Sequence, residues 1–222
     1  GCIPCIIPGT TNILISNSSG FDTAFSALIY ATEPLAVADE QSNPWLFELT
    51  ILEPTLTGNE FIYVEKCLST NWISSQGSFV RRFEEQFNEL HPGMHSLAVS
   101  SGTTALELAL RALDIRKGDE VIVPDITFAA CANTVLNVGA TPVFSEIELE
   151  SWCINVDEVE KLISPKTKAV MAVHLYGQVC NIKKLRKLCE KQNILLIEDC
   201  AEAIGSKYQD DPVGVFGDAS SF

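Results

Sequence analysis

The sequence predicts an α/β protein built as a three-layer sandwich, with a mostly parallel sheet between two layers of helices. Two observations carry that prediction. From about Ser96 to Asp199, short runs rich in branched apolar residues alternate with segments whose apolar residues recur every three or four positions, the pattern of strands and helices taken in turn. Within the short runs apolar residues follow one another without a polar residue at every second place, so each strand is covered on both faces and the sheet runs parallel.

Taken in order, "SLAVS" (96–100) predicts a strand and "GTTALELALRAL" (102–113) a helix with leucine and alanine along one side. "EVIVP" (120–124) is the next strand, and "TFAACANTVLNV" (127–138) the next helix, closed by Gly139. The alternation goes on through strand "TPVFSEI" (141–147), helix "VDEVEKLI" (156–163), strand "KAVMAVHLY" (168–176), helix "NIKKLRKLCEKQ" (181–192) and strand "ILLIED" (194–199). Upstream, residues 56–90 predict two amphipathic helices on either side of a polar loop, "STNWISSQGS". Residues 1–49 differ: they are turn-rich, poor in charge and lack the alternation, which predicts an appended segment of unknown role before a domain over 50–222.

Composition bounds the function. With 222 residues, 46% of them apolar, the chain is long enough to bury a real core. A net charge of −14 argues against a nucleic acid or an anionic membrane surface as partner. The eight cysteines, at 2, 5, 67, 131, 153, 180, 189 and 200, are scattered, and Cys2 and Cys5 form the only Cys-x-x-Cys, so no metal site is predicted and buried free thiols in a reducing compartment are. The first residues lack a charged stretch followed by an apolar one, and no apolar run reaches ~18 residues. The expected location is the cytoplasm.

The chemistry gathers at the strand ends. In a parallel sheet all strand C-termini open on one edge, where ligands bind. That edge carries Ser101, Gly102 and Thr103 at the start of a helix, then "PDITFAA", then His174 and Tyr176, then Asp199 and Glu202. A helix N-terminus after a small Ser-Gly-Thr turn offers free N–H groups to a phosphate, although Ser101 or Thr103 also reads as a simple helix cap. Phosphate donors, an aromatic ring, an imidazole and carboxyl groups together suit a flat phosphorylated heterocycle. Pyridoxal 5'-phosphate is such a molecule: Phe128 supplies a face for its ring, and Asp199 an acid that keeps its pyridine nitrogen protonated. Each residue also has a plainer role, Phe128 as core and Asp199 as the cap of a following helix.

The motifs "NWISSQGSFV", "SSGTTALELAL", "GDEVIVPDITFAACAN", "GATPVF", "AVHLYGQ" and "IEDCAEAIGSKY", with "VGVFGDASSF" at the end, resemble in order and spacing the DegT family of sugar-nucleotide aminotransferases, enzymes of fold type I. The resemblance covers about Leu52 to Phe222. It implies that residues 50–222 are a partial large domain of the pyridoxal-phosphate-dependent transferase fold, the aspartate aminotransferase type. It implies that Gly102 and Thr103 bind the cofactor phosphate, that Phe128 stacks on the ring, that Asp199 bonds its nitrogen, and that Glu202 faces the ring hydroxyl or the amino nitrogen. Trp72 and Ser74, in the loop that is similar to the family's substrate entrance, become substrate contacts. His174 joins them beneath the site, with a hydrogen-bonded core histidine as its alternative.

The same resemblance implies transamination of a nucleotide-linked 4-keto-6-deoxy sugar with glutamate as amino donor, in a homodimer. It also sets an expectation about what is missing. In the family a Schiff-base lysine follows the "FGDASSF" run, so that lysine is expected beyond Phe222 and no catalytic residue is assigned. Lys207, Lys166, Lys168, Lys183, Lys184 and Lys187 are not expected to replace it. Two alternatives follow: a catalytically silent fragment that binds the cofactor or pairs with another subunit, and a sugar dehydratase in which histidine stands for the lysine. A nicotinamide-binding fold is disfavoured, because no Gly-x-Gly-x-x-Gly follows any predicted strand.

Overall fold

The structure, a computed structural model, describes residues 56–222 and the backbone of Ile3–Pro8. Helices α1 (Glu60–Ser69) and α2 (Ser78–Leu90) lead into an alternation of β2 (Met94–Val99), α3 (Gly102–Ala112), β3 (Glu120–Pro124), α4 (Ala130–Asn137), β4 (Thr141–Ser145), α5 (Val156–Leu162), β5 (Thr167–Val173), α6 (Ile182–Gln192) and β6 (Leu195–Asp199). A small hairpin, β7 (Lys207–Tyr208) and β8 (Asp211–Pro212), precedes the last strand, β9 (Ala219–Ser221). Strand β1 is Ile3–Pro8. The main sheet has seven strands in the order β2-β1-β9-β6-β5-β3-β4, and β1 alone runs against its neighbours.

Side chains of the central strands alternate between two covered faces, which explains why no polar residue marks every second place. Val121 and Val123 of β3, Ala169 and Met171 of β5 and Ile197 of β6 pack with Leu106 and Leu110 of α3 and Cys131 and Val135 of α4. Ile122, Val170, Ala172 and Leu196 face the other way, onto Val156 and Val159 of α5 and Ile182, Leu185 and Cys189 of α6. The three layers are therefore those the sequence predicts. Among the described residues no helix is long and apolar enough to cross a membrane. Cys131, Cys153, Cys180, Cys189 and Cys200 are buried free thiols, as expected, and Cys67 is half-buried.

Several boundaries differ. The expected helix over 127–138 begins only at Ala130, because the chain after β3 is still held to the sheet edge by Asp125 N donating to Ser145 O, and Thr127 to Ala129 form a loop. The expected strand over 168–176 stops at Val173, and Leu175–Gly177 make a single tight turn in which Tyr176 takes a left-handed conformation, φ 51°. Strand β9 was not expected. Within the segment expected to be appended, Ile3–Pro8 is a strand of the sheet, between β2 and β9. The rest of residues 1–49, and the side chains of Cys2 and Cys5, lie outside the described residues.

The chain returns to the sheet over one buried side chain, Glu198. Its Oε1 accepts from Phe216 N at 2.8 Å and Gly217 N at 2.6 Å, and its Oε2 from Gly214 N at 3.0 Å. His174 Nδ1 accepts from Cys180 N at 3.2 Å, which puts the ring proton on Nε2, 3.1 Å from Glu198 Oε2 as a fourth donor. Gly214 is left-handed (φ +88°), and a Cβ there would lie 2.5 Å from the Phe222 ring. This loop delivers β9 beside β6, Ala219 opposite Ile197 and Ser221 opposite Asp199.

Replacing Glu198 by Gln turns one acceptor oxygen into a donor that faces donors. The Glu198→Gln chain is expected to lose about 2–3 kcal/mol of stability, read as a lower urea midpoint. An unchanged midpoint contradicts this role.

Candidate functional site

Because β2, β9, β6, β5, β3 and β4 share one direction, their C-terminal ends meet on one edge of the sheet. Helix α3 starts at that edge. Ser101 is its extended N-cap, φ −163° and ψ 161°, and its Oγ accepts from Thr104 N at 3.2 Å. The first intrahelical bond runs from Ala105 N to Ser101 O, 3.1 Å, so the N–H groups of Gly102 and Thr103 precede the helical ladder. Among the described residues, the chain neighbours and the helix's own backbone aside, nothing lies within 4 Å of where a Gly102 Cβ would stand. Ser101 is thus the cap, and the N–H groups of Gly102 and Thr103 stand at a helix N-terminus, where an anion is favoured.

Asp199 closes β6 at the same edge and is only 6% exposed. Its Oδ1 accepts from Ala201 N at 3.2 Å and from Ser221 Oγ at 3.3 Å. Its Oδ2 accepts from the Cys131 thiol at 3.2 Å. Burial pushes the Asp199 carboxyl above the usual carboxylate range, and the Cys131, Ala201 and Ser221 donors pull it back in part. Burial and the neighbouring Asp199 charge push the Cys131 thiol well above its ordinary value, so it remains an S–H donor. A buried acid of this kind gains most from a cationic N–H partner, such as a protonated pyridine.

The strand register fixes the scale. Leu97, Cys5, Ser221 and Asp199 stand in one backbone row across β2, β1, β9 and β6, three strand spacings or about 14 Å end to end. The N-terminus of α3 follows just past that row on β2. The loop that leaves β3, two strands beyond β6, carries Phe128 half-exposed ahead of α4, three residues before Cys131, whose sulfur touches Asp199. An open anion cradle, an aromatic face and a buried acid on one rim fit a phosphorylated pyridine. Glu202 is fixed on the rim as well: its Oε2 accepts from Tyr176 N at 2.8 Å. Tyr176 is left-handed and exposed, with its ring centroid 6.4 Å from that of Trp152, itself left-handed at φ 58°.

Other expected residues lie elsewhere. His174 is fully buried, and both ring nitrogens are bonded within the protein, to Glu198 and Cys180, so the expectation of a substrate contact is corrected to a core role. The reason is strand parity: His174 falls on the Val170 and Ala172 side of β5, beneath α6. Trp72 and Ser74 are exposed in the loop between α1 and α2, whose bond from Gln76 N to Ser74 Oγ (3.3 Å) is local. The structure does not join them to the strand-end group. Lys166 and Lys168 lie where β5 begins, Lys183 and Lys184 pair with Asp211 and Asp157 along α6, and Lys207 is exposed on β7.

Sequence reasoning missed Cys131, Ser221 and Glu198. Cys131 carried a usable signal, since it follows Phe128 by three positions in a helical pattern. Ligand-type atoms of His174, Glu198 and Cys200 lie within 4.8 Å of one another, but the imidazole nitrogens and both Glu198 oxygens are already committed to hydrogen bonds.

Comparison with known proteins bears on family and fold. Residues 54–222 match the DegT/DnrJ/EryC1/StrS aminotransferase family. The GDP-perosamine synthase of Vibrio cholerae is 51% identical over 174 residues, 78% of this chain and 47% of that protein. The Escherichia coli O157:H7 GDP-perosamine synthase is 47% identical over the same share, and the chain spans about half the length of the curated relatives it matches. The aminotransferase structure from Psychrobacter cryohalolentis superposes with a TM-score of 0.70 at 39% identity, over 74% of this chain and 42% of that one. NtdA from Bacillus subtilis, solved with its cofactor pyridoxamine 5'-phosphate (PMP) bound, superposes with a TM-score of 0.62 at 34% identity, over 65% of this chain and 33% of that one.

Since the folded protein raises the Asp199 carboxyl, protonation favours the fold, and the benefit is lost as pH rises through the folded value. The unchanged chain is therefore expected to lose stability relative to Asp199→Asn as pH rises from acid to neutral, with a constant offset where the amide faces the Cys131, Ala201 and Ser221 donors. Urea melts across pH read this directly, and a stability difference that does not change with pH contradicts it.

Proposed function

The chain belongs to the DegT/DnrJ/EryC1/StrS aminotransferase family, whose members depend on pyridoxal phosphate, and from that premise we propose that it forms the cofactor-holding part of a sugar-nucleotide aminotransferase. The reaction is transfer of an amino group from glutamate to a nucleotide-linked 4-keto-6-deoxy sugar, as in a GDP-perosamine synthase. The names of the relatives support amination rather than dehydration. The carrying observation is a buried acid, Asp199, on the same rim as the N-terminus of α3.

In this reading the N–H groups of Gly102 and Thr103, with the Thr103 hydroxyl, hold the phosphate and fix one end of the ring. Phe128 covers one ring face, which sets its plane and excludes water from it. Asp199 accepts the N–H of the pyridine nitrogen and keeps that proton in place, its own charge stabilised in turn by the cationic ring. Bound there, the cofactor supplies an electron sink for the carbon that exchanges its amine. Glu202, held by Tyr176 N–H through one oxygen, offers the other to the ring hydroxyl or the amino nitrogen. Trp72 and Ser74 serve the sugar-nucleotide side from their exposed loop.

Cytoplasmic location and a homodimer complete the reading, and neither nucleic acid nor membrane is a partner. The charge of −14 supports the former exclusion, and the exposed apolar residues Phe61, Ile62, Val64 and Leu68 of α1 support a second copy as partner.

PMP binding tests the reading without any covalent attachment. Calorimetry is expected to show saturable binding of PMP to the 222-residue chain, weakened roughly tenfold or more by Asp199→Ala, the loss of one charge-assisted hydrogen bond. Equal affinity in the two proteins overturns the assignment of Asp199.

A further inference from the structure

Cys131 is the neighbour of the acid that the reading above leaves without a role. It is fully buried in the first turn of α4, and its sulfur lies 3.2 Å from Thr127 Oγ1 and 3.2 Å from Asp199 Oδ2. The groups around the Asp199 carboxyl come from every element packed against it. Ala201 N–H and the Ser221 hydroxyl of β9 serve Oδ1, His174 stands nearby after β5, and among the described residues the thiol is the donor on Oδ2. Phe128 precedes Cys131 by three positions and accepts at its carbonyl from Cys131 N, 3.1 Å. The residue offered to the ring face and the residue touching the acid are thus two ends of one turn.

We propose that Cys131 is a positioning residue: its thiol anchors Oδ2 of Asp199 to the first turn of α4, so that the carboxyl is aimed at the ring nitrogen in the plane that Phe128 sets. The inference rests on the cofactor reading of the preceding subsection. A thiol suits the task because it donates weakly. It fixes the direction of the carboxyl yet leaves Oδ2 a strong acceptor, where a methyl group gives no anchor at all. Thr127 Oγ1 also lies 3.2 Å from the sulfur, a second polar contact for the thiol in this position.

The test reads Asp199 itself in the 222-residue chain. Aspartate is labelled with carbon-13 at the side-chain carboxyl, and the Asp199 signal is assigned by its loss in Asp199→Asn. Cys131→Ala and Cys131→Val remove the donor, one leaving space and the other filling it, and Cys131→Ser keeps a donor. The Ala and Val chains are expected to titrate Asp199 about one pH unit higher than the unchanged chain, with the Ser chain close to it. Their PMP affinity is expected to fall roughly three- to tenfold. Titration of Asp199 at the same pH in the Ala, Val and unchanged chains overturns the proposal, whatever happens to stability. If the titration moves as expected but PMP binds equally to all variants, Asp199→Asn included, the anchoring by Cys131 stands and the cofactor reading is what falls.

Discussion

The structure turns on two neighbouring acids at the end of one strand, and on the two-residue period that sends them to opposite faces. Glu198 points to the α5 and α6 side, where four hydrogen bonds tie down the loop over Gly214 to Gly217 and the His174 ring. Asp199 points to the α3 and α4 side and ends at the open rim. The first acid is structural and fully saturated. It makes the second one possible, because the loop it holds inserts β9 beside β6 and so brings Ser221 to Asp199. Lose the Glu198 contacts and the wall behind Asp199 goes with them.

The energetics of Asp199 run against those of a residue selected for stability. A carboxyl at the end of an apolar strand loses hydration, and the donors around it, a thiol, a hydroxyl and one backbone N–H, offset only part of that loss. A protein tolerates such a group where a ligand completes it. The N-terminus of α3 makes the complementary demand, N–H dipoles that among the described residues precede the helical ladder. Both demands are met by one molecule that is anionic at one end and cationic at the other.

Much of this was legible in the sequence, for physical reasons that can be named. The parallel sheet shows in the uninterrupted apolar runs of β3, β5 and β6, because burial on both faces removes the polar residues that alternation would need. That Gly102, Thr103 and Asp199 share one rim was legible because a parallel sheet gathers every strand C-terminus on one edge. The misreading of His174 was a parity error: counted from Val170 and Ala172, its side chain falls on the covered face. Short elements escaped for a different reason. β9 has three residues and no pattern of its own, and it is a strand because the β6 and β1 backbones pair with it on either side. The contact between Cys131 and Asp199 joins residues 68 positions apart, a distance no local pattern reports. Residues Ile3–Pro8 read as turn-rich for want of alternating helices, yet the gap between β2 and β9 accepts them as its one antiparallel strand.

The central claim is that Asp199 keeps the ring nitrogen of a bound pyridine protonated. Nitrogen-15 NMR of ring-labelled PMP bound to this chain observes that nitrogen directly. With Asp199 as its partner, the bound ring is predicted to keep its pyridinium shift at a pH about one unit above the point where free PMP, titrated alongside, loses its ring proton. A neutral-pyridine shift for the bound ring at that pH would contradict it.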